Sequence, residues 1–144
     1  MSERVSEIDL GLTHVALPVT DPDASVAFYE RYAAMQVVHR RRDDAAGTSV
    51  VWLSDLTRPF VIVLVESERV DGGLGGFAHL GVACASRAEV ERRCAAAQSE
   101  GRKVLGPLDS GPPVGYWAFI ADPDGHNLEL SHGQEVALTV QQTT

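Results

Sequence analysis

The sequence holds two cysteines in 144 residues, Cys84 and Cys94, too few for a disulfide scaffold and spaced for neither a zinc nor a redox motif. Both lie in apolar stretches, so they read as buried, reduced thiols. Basic residues are outnumbered 12 to 20, giving a formal charge of −8. That balance argues against nucleic acid or an anionic membrane as the main partner. No apolar run approaches the length of a transmembrane helix. The start, MSERVSEIDLGLTH, is acidic and lacks an apolar h-region, so no secretory signal is expected. Apolar residues are not lacking: 44% hydrophobic and 22% charged is ordinary globular composition and excludes bulk disorder. The expectation is a soluble cytoplasmic protein of one domain, or of two pseudo-repeated halves sharing one core.

A weak internal repeat organises the chain. THVALPV (13–19) followed by TDPDASVAFYERYAAM (20–35) is matched by AHLGVAC (78–84) followed by ASRAEVERRCAAAQSEG (85–101). Each reads as a strand and then a helix. Asp21 caps the first helix, with Pro22 in its first turn. Ser86 and Glu89 form a capping box for the second, Val90, Cys94 and Ala97 make its apolar stripe, and Gly101 stops it. Three strand-like runs follow each helix: QVVHRR, TSVVWLS and FVIVLVE, then RKVLG, GYWAFIA and NLELS, with turns at DDAAG, DLTRP and DPDG. The order is βαβββ, twice. VDGGLGGF (70–77) reads as a linker, since it lacks the Lys-Ser/Thr ending of a P-loop and leads into a strand. After Gly133 the alternation of Val136, Leu138 and Val140 leaves a final strand and a partner-binding arm both open.

Strands have period 2, so their faces can be read directly. His14, Ala16 and Pro18 share one face of the first strand; His79, Gly81 and Ala83 share one face of the fifth. Asn127, Glu129 and Ser131 share one face of the last. Each time an ionisable residue sits among small neighbours, and the opposite face is apolar. A lone strand histidine is more often a satisfied core or surface group, and a lone Glu after a DPDG turn is usually solvated. The coincidence of all three argues otherwise. Pseudo-symmetric halves bring equivalent positions toward a common centre, where His14, His79 and Glu129 would form a 2-His-1-carboxylate triad. Such a set suits iron, manganese, nickel or zinc and leaves coordination positions open for a substrate.

THVALPVTDPDASVAFYE, AHLGVA and FIADPDGHNLEL together resemble the vicinal oxygen chelate superfamily, which holds glyoxalases, bleomycin- and fosfomycin-resistance proteins and extradiol dioxygenases. The resemblance runs over residues 10–133. It implies an α+β fold of two βαβββ modules (about 10–68 and 77–133) forming a curled, cup-shaped mixed sheet, with 134–144 as a tail. It implies a divalent metal held by His14, His79 and Glu129, a small oxygen-chelating substrate, and a homodimer. The family's fourth ligand position falls near Val63, which cannot bind metal, so glyoxalase I and methylmalonyl-CoA epimerase chemistry is put in question. The extradiol tyrosine position holds Phe119, and the fosfomycin enzymes' threonine is Ala16. The resemblance thus leaves open a dioxygenase-like reaction or a lyase or isomerase reaction, with Glu129 as the catalytic group for any proton transfer. The rival class is a metal-free drug-binding dimer of the bleomycin-resistance type; a regulatory dimer with a vestigial site is a further one.

Several other residues stand out. His126 and His132 flank Glu129 at i−3 and i+3, on the opposite face, and are expected to be solvated or to support the ligands. His39 and Arg40–Arg42 read as a solvated hairpin, with an anion clamp as the minor alternative. Trp52, Tyr116, Trp117 and Phe119 are core aromatics or the walls of a pocket for a flat ligand. GPLDSGPPVG (106–115) is an ordinary connection or a lid.

Overall fold

A computed structural model describes residues 9–143. Among these the order is β1 (His14–Val19), α1 (Pro22–Ala33), β2 (Gln36–Asp43), β3 (Thr48–Ser54) and β4 (Val61–Glu66), then β5 (His79–Ala83), α2 (Arg87–Ser99), β6 (Val104–Asp109), β7 (Tyr116–Ala121), β8 (Asn127–His132) and α3 (Val136–Gln141). The chain divides into two compact units between Val70 and Asp71. Each is a βαβββ module with a four-stranded mixed sheet, in the orders β1-β4-β3-β2 and β5-β8-β7-β6. The α+β class and the doubled module are therefore as the sequence pattern predicts. No helix of the described residues is long and apolar enough to cross a membrane.

Both long helices start where their caps stand. The Asp21 carboxylate accepts from the Ala24 N–H at 3.2 Å with Pro22 in the first turn, and Ser86 Oγ accepts from the Glu89 N–H at 3.1 Å. Each bond satisfies a backbone donor that the helix itself cannot. Only half of the expected capping box forms, because Glu89 turns its carboxylate along the helix to Arg93 (3.0 Å) and Arg92 (3.8 Å). The second helix ends at Ser99 and is stopped by Gly101, which takes φ +81° while Arg102 N–H reaches back to the Ala97 carbonyl.

One face of each sheet takes its helix. In the first unit Leu17, Val19, Val51, Leu53, Ile62 and Leu64 are buried together with Phe28, Tyr29 and Tyr32 of α1. In the second, Ile120, Leu128 and Leu130 are buried together with Val90, Cys94 and Ala97. With the apolar faces of β1, β3, β4, β7 and β8 turned to a helix, period 2 assigns their polar residues to the other face.

Three segments differ from the sequence reading or go beyond it. The tail after Gly133 is not a strand but the short helix α3, begun where Glu135 N–H donates to the Pro113 carbonyl at 3.0 Å. The first four residues of the Gly-Pro-rich loop belong to strand β6, and the rest is a hairpin turn closed by Ser110 N–H to the Gly115 carbonyl, so no ten-residue lid exists. The glycine-rich stretch after Val70 does connect the modules, as read, but it is also tied down: Leu74 N–H donates to His126 Nδ1 at 3.1 Å and Asn127 N–H to the Leu74 carbonyl at 2.9 Å.

Candidate functional site

In the second unit the parallel pairing of β5 with β8 sets Gly81 opposite Glu129, and the antiparallel pairing of β7 with β8 sets Phe119 opposite it. Glu129 thus stands between a glycine and an aromatic ring on the face away from α2. A Cβ at Gly81 would lie 3.6 Å from Glu129 Oε2, in ordinary van der Waals contact with the carboxylate. Glu129 is 7% exposed, and a buried carboxylate needs partners. Gln134 Nε2 donates to Oε2 at 2.8 Å, and His79 Nε2 lies 3.4 Å from Oε1.

The other nitrogen of His79 fixes its tautomer. Nδ1 is 2.6 Å from the Phe77 carbonyl oxygen, which can only accept. Nδ1 therefore carries the proton, and in the neutral ring Nε2 is a bare lone pair aimed at a carboxylate oxygen. Two acceptors facing one another at 3.4 Å repel unless a proton or a cation lies between them. The distance exceeds the usual 2.7–2.9 Å, roughly, of a charge-assisted hydrogen bond. The Phe119 ring tilts against the imidazole at 4.8 Å between centroids, and Trp117 follows at 5.2 Å.

His14 occupies the equivalent place in the first unit. Its Nδ1 is 2.9 Å from the Thr13 hydroxyl, and its ring lines a pocket of about 890 Å³ on the sheet face away from α1. Ala16, Val63 and Trp52 lie in register across β1, β4 and β3 on that face. Superposing the two registers makes Val63 the counterpart of Glu129, as the family position near Val63 suggested, and Trp52 the counterpart of Phe119. Within either unit taken alone, no three His, Cys, Asp or Glu side chains of the described residues gather as a metal cluster. The second unit brings His79 and Glu129 together; His14 belongs to the first.

Other expectations change. His126 is not solvated but fully buried, held by Leu74 N–H, with its own backbone N–H on Asp122 Oδ1 at 2.9 Å. His132 Nδ1 lies 3.0 Å from the Cys84 carbonyl. Tyr116 is on the α2 side, where its hydroxyl donates to Glu91 at 2.7 Å; that bond holds the phenol above its usual range. Trp117 and Phe119 do flank the site. Both cysteines are free and buried, and burial pushes the Cys94 thiol up to about 11 and raises Cys84 as well. Gln134 escaped the sequence reading: it lies beyond the strand, where alternation carries no information.

Comparison with known proteins agrees with the fold. The sequence model described as "Glyoxalase/Bleomycin resistance protein/Dioxygenase superfamily" matches residues 11–130. An uncharacterized protein of Pseudomonas aeruginosa, PA2024, is 36% identical over 126 residues, covering 85% of this chain and 89% of its own. The trypanothione-dependent glyoxalase I of Leishmania major shares the fold with a TM-score of 0.71 at 19% identity, over 94% of this chain and 95% of that one. So does a glutamate-to-glutamine mutant of the fosfomycin resistance protein FosX of Listeria monocytogenes, solved with Mn(II) and 1S,2S-dihydroxypropylphosphonic acid. Its TM-score is 0.71 at 18% identity, over 92% of this chain and 99% of that one.

Proposed function

Because the chain belongs to the glyoxalase/bleomycin resistance protein/dioxygenase superfamily, we propose that it is a metal-dependent enzyme of that group acting on a small oxygen-chelating substrate. The observation that carries this reading is the facing of two lone-pair donors. The Phe77 carbonyl takes the Nδ1–H of His79, so in the neutral ring Nε2 presents a lone pair 3.4 Å from Glu129 Oε1. A divalent cation satisfies both at once, and imidazole with carboxylate fits iron, manganese, nickel or zinc. His79 and Glu129 would hold it, with His14 as the third ligand, supplied by the same chain or by a second copy in a homodimer. A metal so held supplies Lewis-acid stabilisation to a developing oxyanion.

The chain's own groups do the rest. The Phe77 carbonyl orients His79, and Gln134 holds Oε2 of Glu129 so that Oε1 keeps one direction. Any proton transfer would fall to the Glu129 carboxylate. Phe119 and Trp117 line the site. Of the two reactions left open, the non-oxidative one is favoured. Phe119 has no hydroxyl, and Tyr116 points to Glu91 on the helix side, so no phenol serves the extradiol role. The enzyme reads as a glyoxalase-like lyase or isomerase.

The test is metal content by elemental mass spectrometry on protein purified without chelator or affinity metal, then reloaded with Mn(II). About one metal per chain is expected, with loss of about tenfold or more in metal affinity in His79→Ala and a smaller loss in Gln134→Ala. Wild-type protein that is empty and refuses added metal would sink the reading in favour of a metal-free binding module.

A further inference from the structure

The basic run at residues 39–42 is split by the pleat of β2. Arg40 pairs with Asp23 of α1 at 3.2 Å. Arg42 donates to the Gly47 carbonyl at 2.9 Å and lies 3.9 Å from Glu66. Both belong to the helix side. His39 and Arg41 fall on the other face and line the first unit's pocket, as does Arg58 from the connection before β4. Among the described residues neither Arg41 nor Arg58 has an ion-pair partner. The carboxylate of the lining, Asp9, pairs with neither. Two guanidinium groups against one carboxylate make this face net positive on a chain of formal charge −8.

The walls have a second character. The Trp52 ring lies in the pocket with His39 tilted against it at 4.8 Å, beside Phe60 and Val63. Trp52 Nε1–H is buried and finds no acceptor among the described residues. The lining therefore offers guanidinium donors in excess of acceptors, next to flat apolar walls. At about 890 Å³ it falls within the range of organic-ligand pockets, on the order of 300–1,000 Å³.

We propose that this pocket binds an aromatic carboxylate, its oxyanion on Arg41 and Arg58 and its ring against Trp52. The planar guanidinium fork matches a carboxylate, and the aromatic walls select a flat body over a free inorganic anion. As the substrate class of the site that contains His14, this rests on the enzyme reading, but it is measured without it.

The probe is 2-naphthoate, titrated by calorimetry into chelator-treated and into Mn(II)-loaded protein, with 2-naphthamide as the uncharged twin. One site per chain is expected, with naphthamide weaker by about tenfold or more. Arg41→Met and Arg58→Met keep much of the apolar stem, and each should weaken naphthoate by about tenfold while leaving naphthamide unchanged. Arg40→Met, which removes a helix-side charge, should leave naphthoate affinity unchanged. Equal affinity for naphthoate and naphthamide, no effect of either pocket variant, or no binding in either metal state overturns the proposal. Naphthoate binding by protein that refuses Mn(II) would sink the metal reading and leave this one standing. Protein that takes up Mn(II) but ignores naphthoate would do the reverse.

Discussion

Single residues decide much of the second unit. Gly73 takes φ +78°, and a Cβ there would meet His126 Cε1 at 2.4 Å, whereas at Gly72, with φ +84°, a Cβ meets nothing within 4 Å. Both positions charge an L-residue for left-handed backbone, but only Gly73 adds a collision with a fully buried ring. Gly73→Ala is therefore expected to destabilise by about 1–3 kcal/mol more than Gly72→Ala, read from urea midpoints; equal losses would mean that the ring yields at no cost. The residue scale also explains why one half of the repeat carries a carboxylate and the other does not. Val63 and Glu129 hold the same place in matching registers, opposite Ala16 and Gly81 respectively. That difference was legible in the sequence, because strand alternation fixes which side chains share a face. His126 was not legible: it lies on a turn, and its burial comes from the docking of a segment more than fifty residues earlier in the chain.

Elements were legible wherever local chemistry and period agreed. Asp21 and Ser86 begin their helices as capping residues should, and the apolar stripe Val90, Cys94, Ala97 is buried in full. Asp21→Ala and Ser86→Ala should each cost about 1 kcal/mol in urea denaturation. A loss near zero for Ser86→Ala would show that water serves the freed Glu89 N–H as well as the hydroxyl does. The tail was not legible because Val136, Leu138 and Val140 alternate as a strand would. Alternation makes a strand only beside an open edge, and β8, from which the tail departs, already has β5 and β7 on its two sides. A helix satisfies the tail's backbone groups internally instead. Tyr116 was ambiguous for a related reason. It stands at the first position of β7, after a turn whose length hides the register, so its face could be assigned only once Tyr116 was seen opposite His132.

For the molecule as a whole, pH links these local environments to stability. On the acid side, Asp109 is held below the usual carboxyl range by the Gly111 N–H and by Arg87. A lowered folded value contributes stability above the unfolded value and loses it as pH falls through the folded one. On the alkaline side the sign reverses. Burial pushes the Cys94 thiol from 9.0 to about 11, so the unfolded chain releases its proton first as pH rises. This contribution is whole below pH 9 and is lost as pH approaches 11. Cys84 and Tyr116 shift in the same direction. Between those limits the Cys94 thiol steepens the fall in unfolding free energy by at most about 1.4 kcal/mol per pH unit. The growing negative charge also destabilises the compact state, but it does so in wild type and variant alike. Urea midpoints followed from pH 8 to 11 should therefore fall less steeply in Cys94→Ala than in wild type. The cavity left by the substitution offsets the whole curve and leaves the difference in slope to report the thiol. Parallel curves would mean that the thiol titrates alike in the folded and unfolded chain and contributes nothing to the alkaline limit.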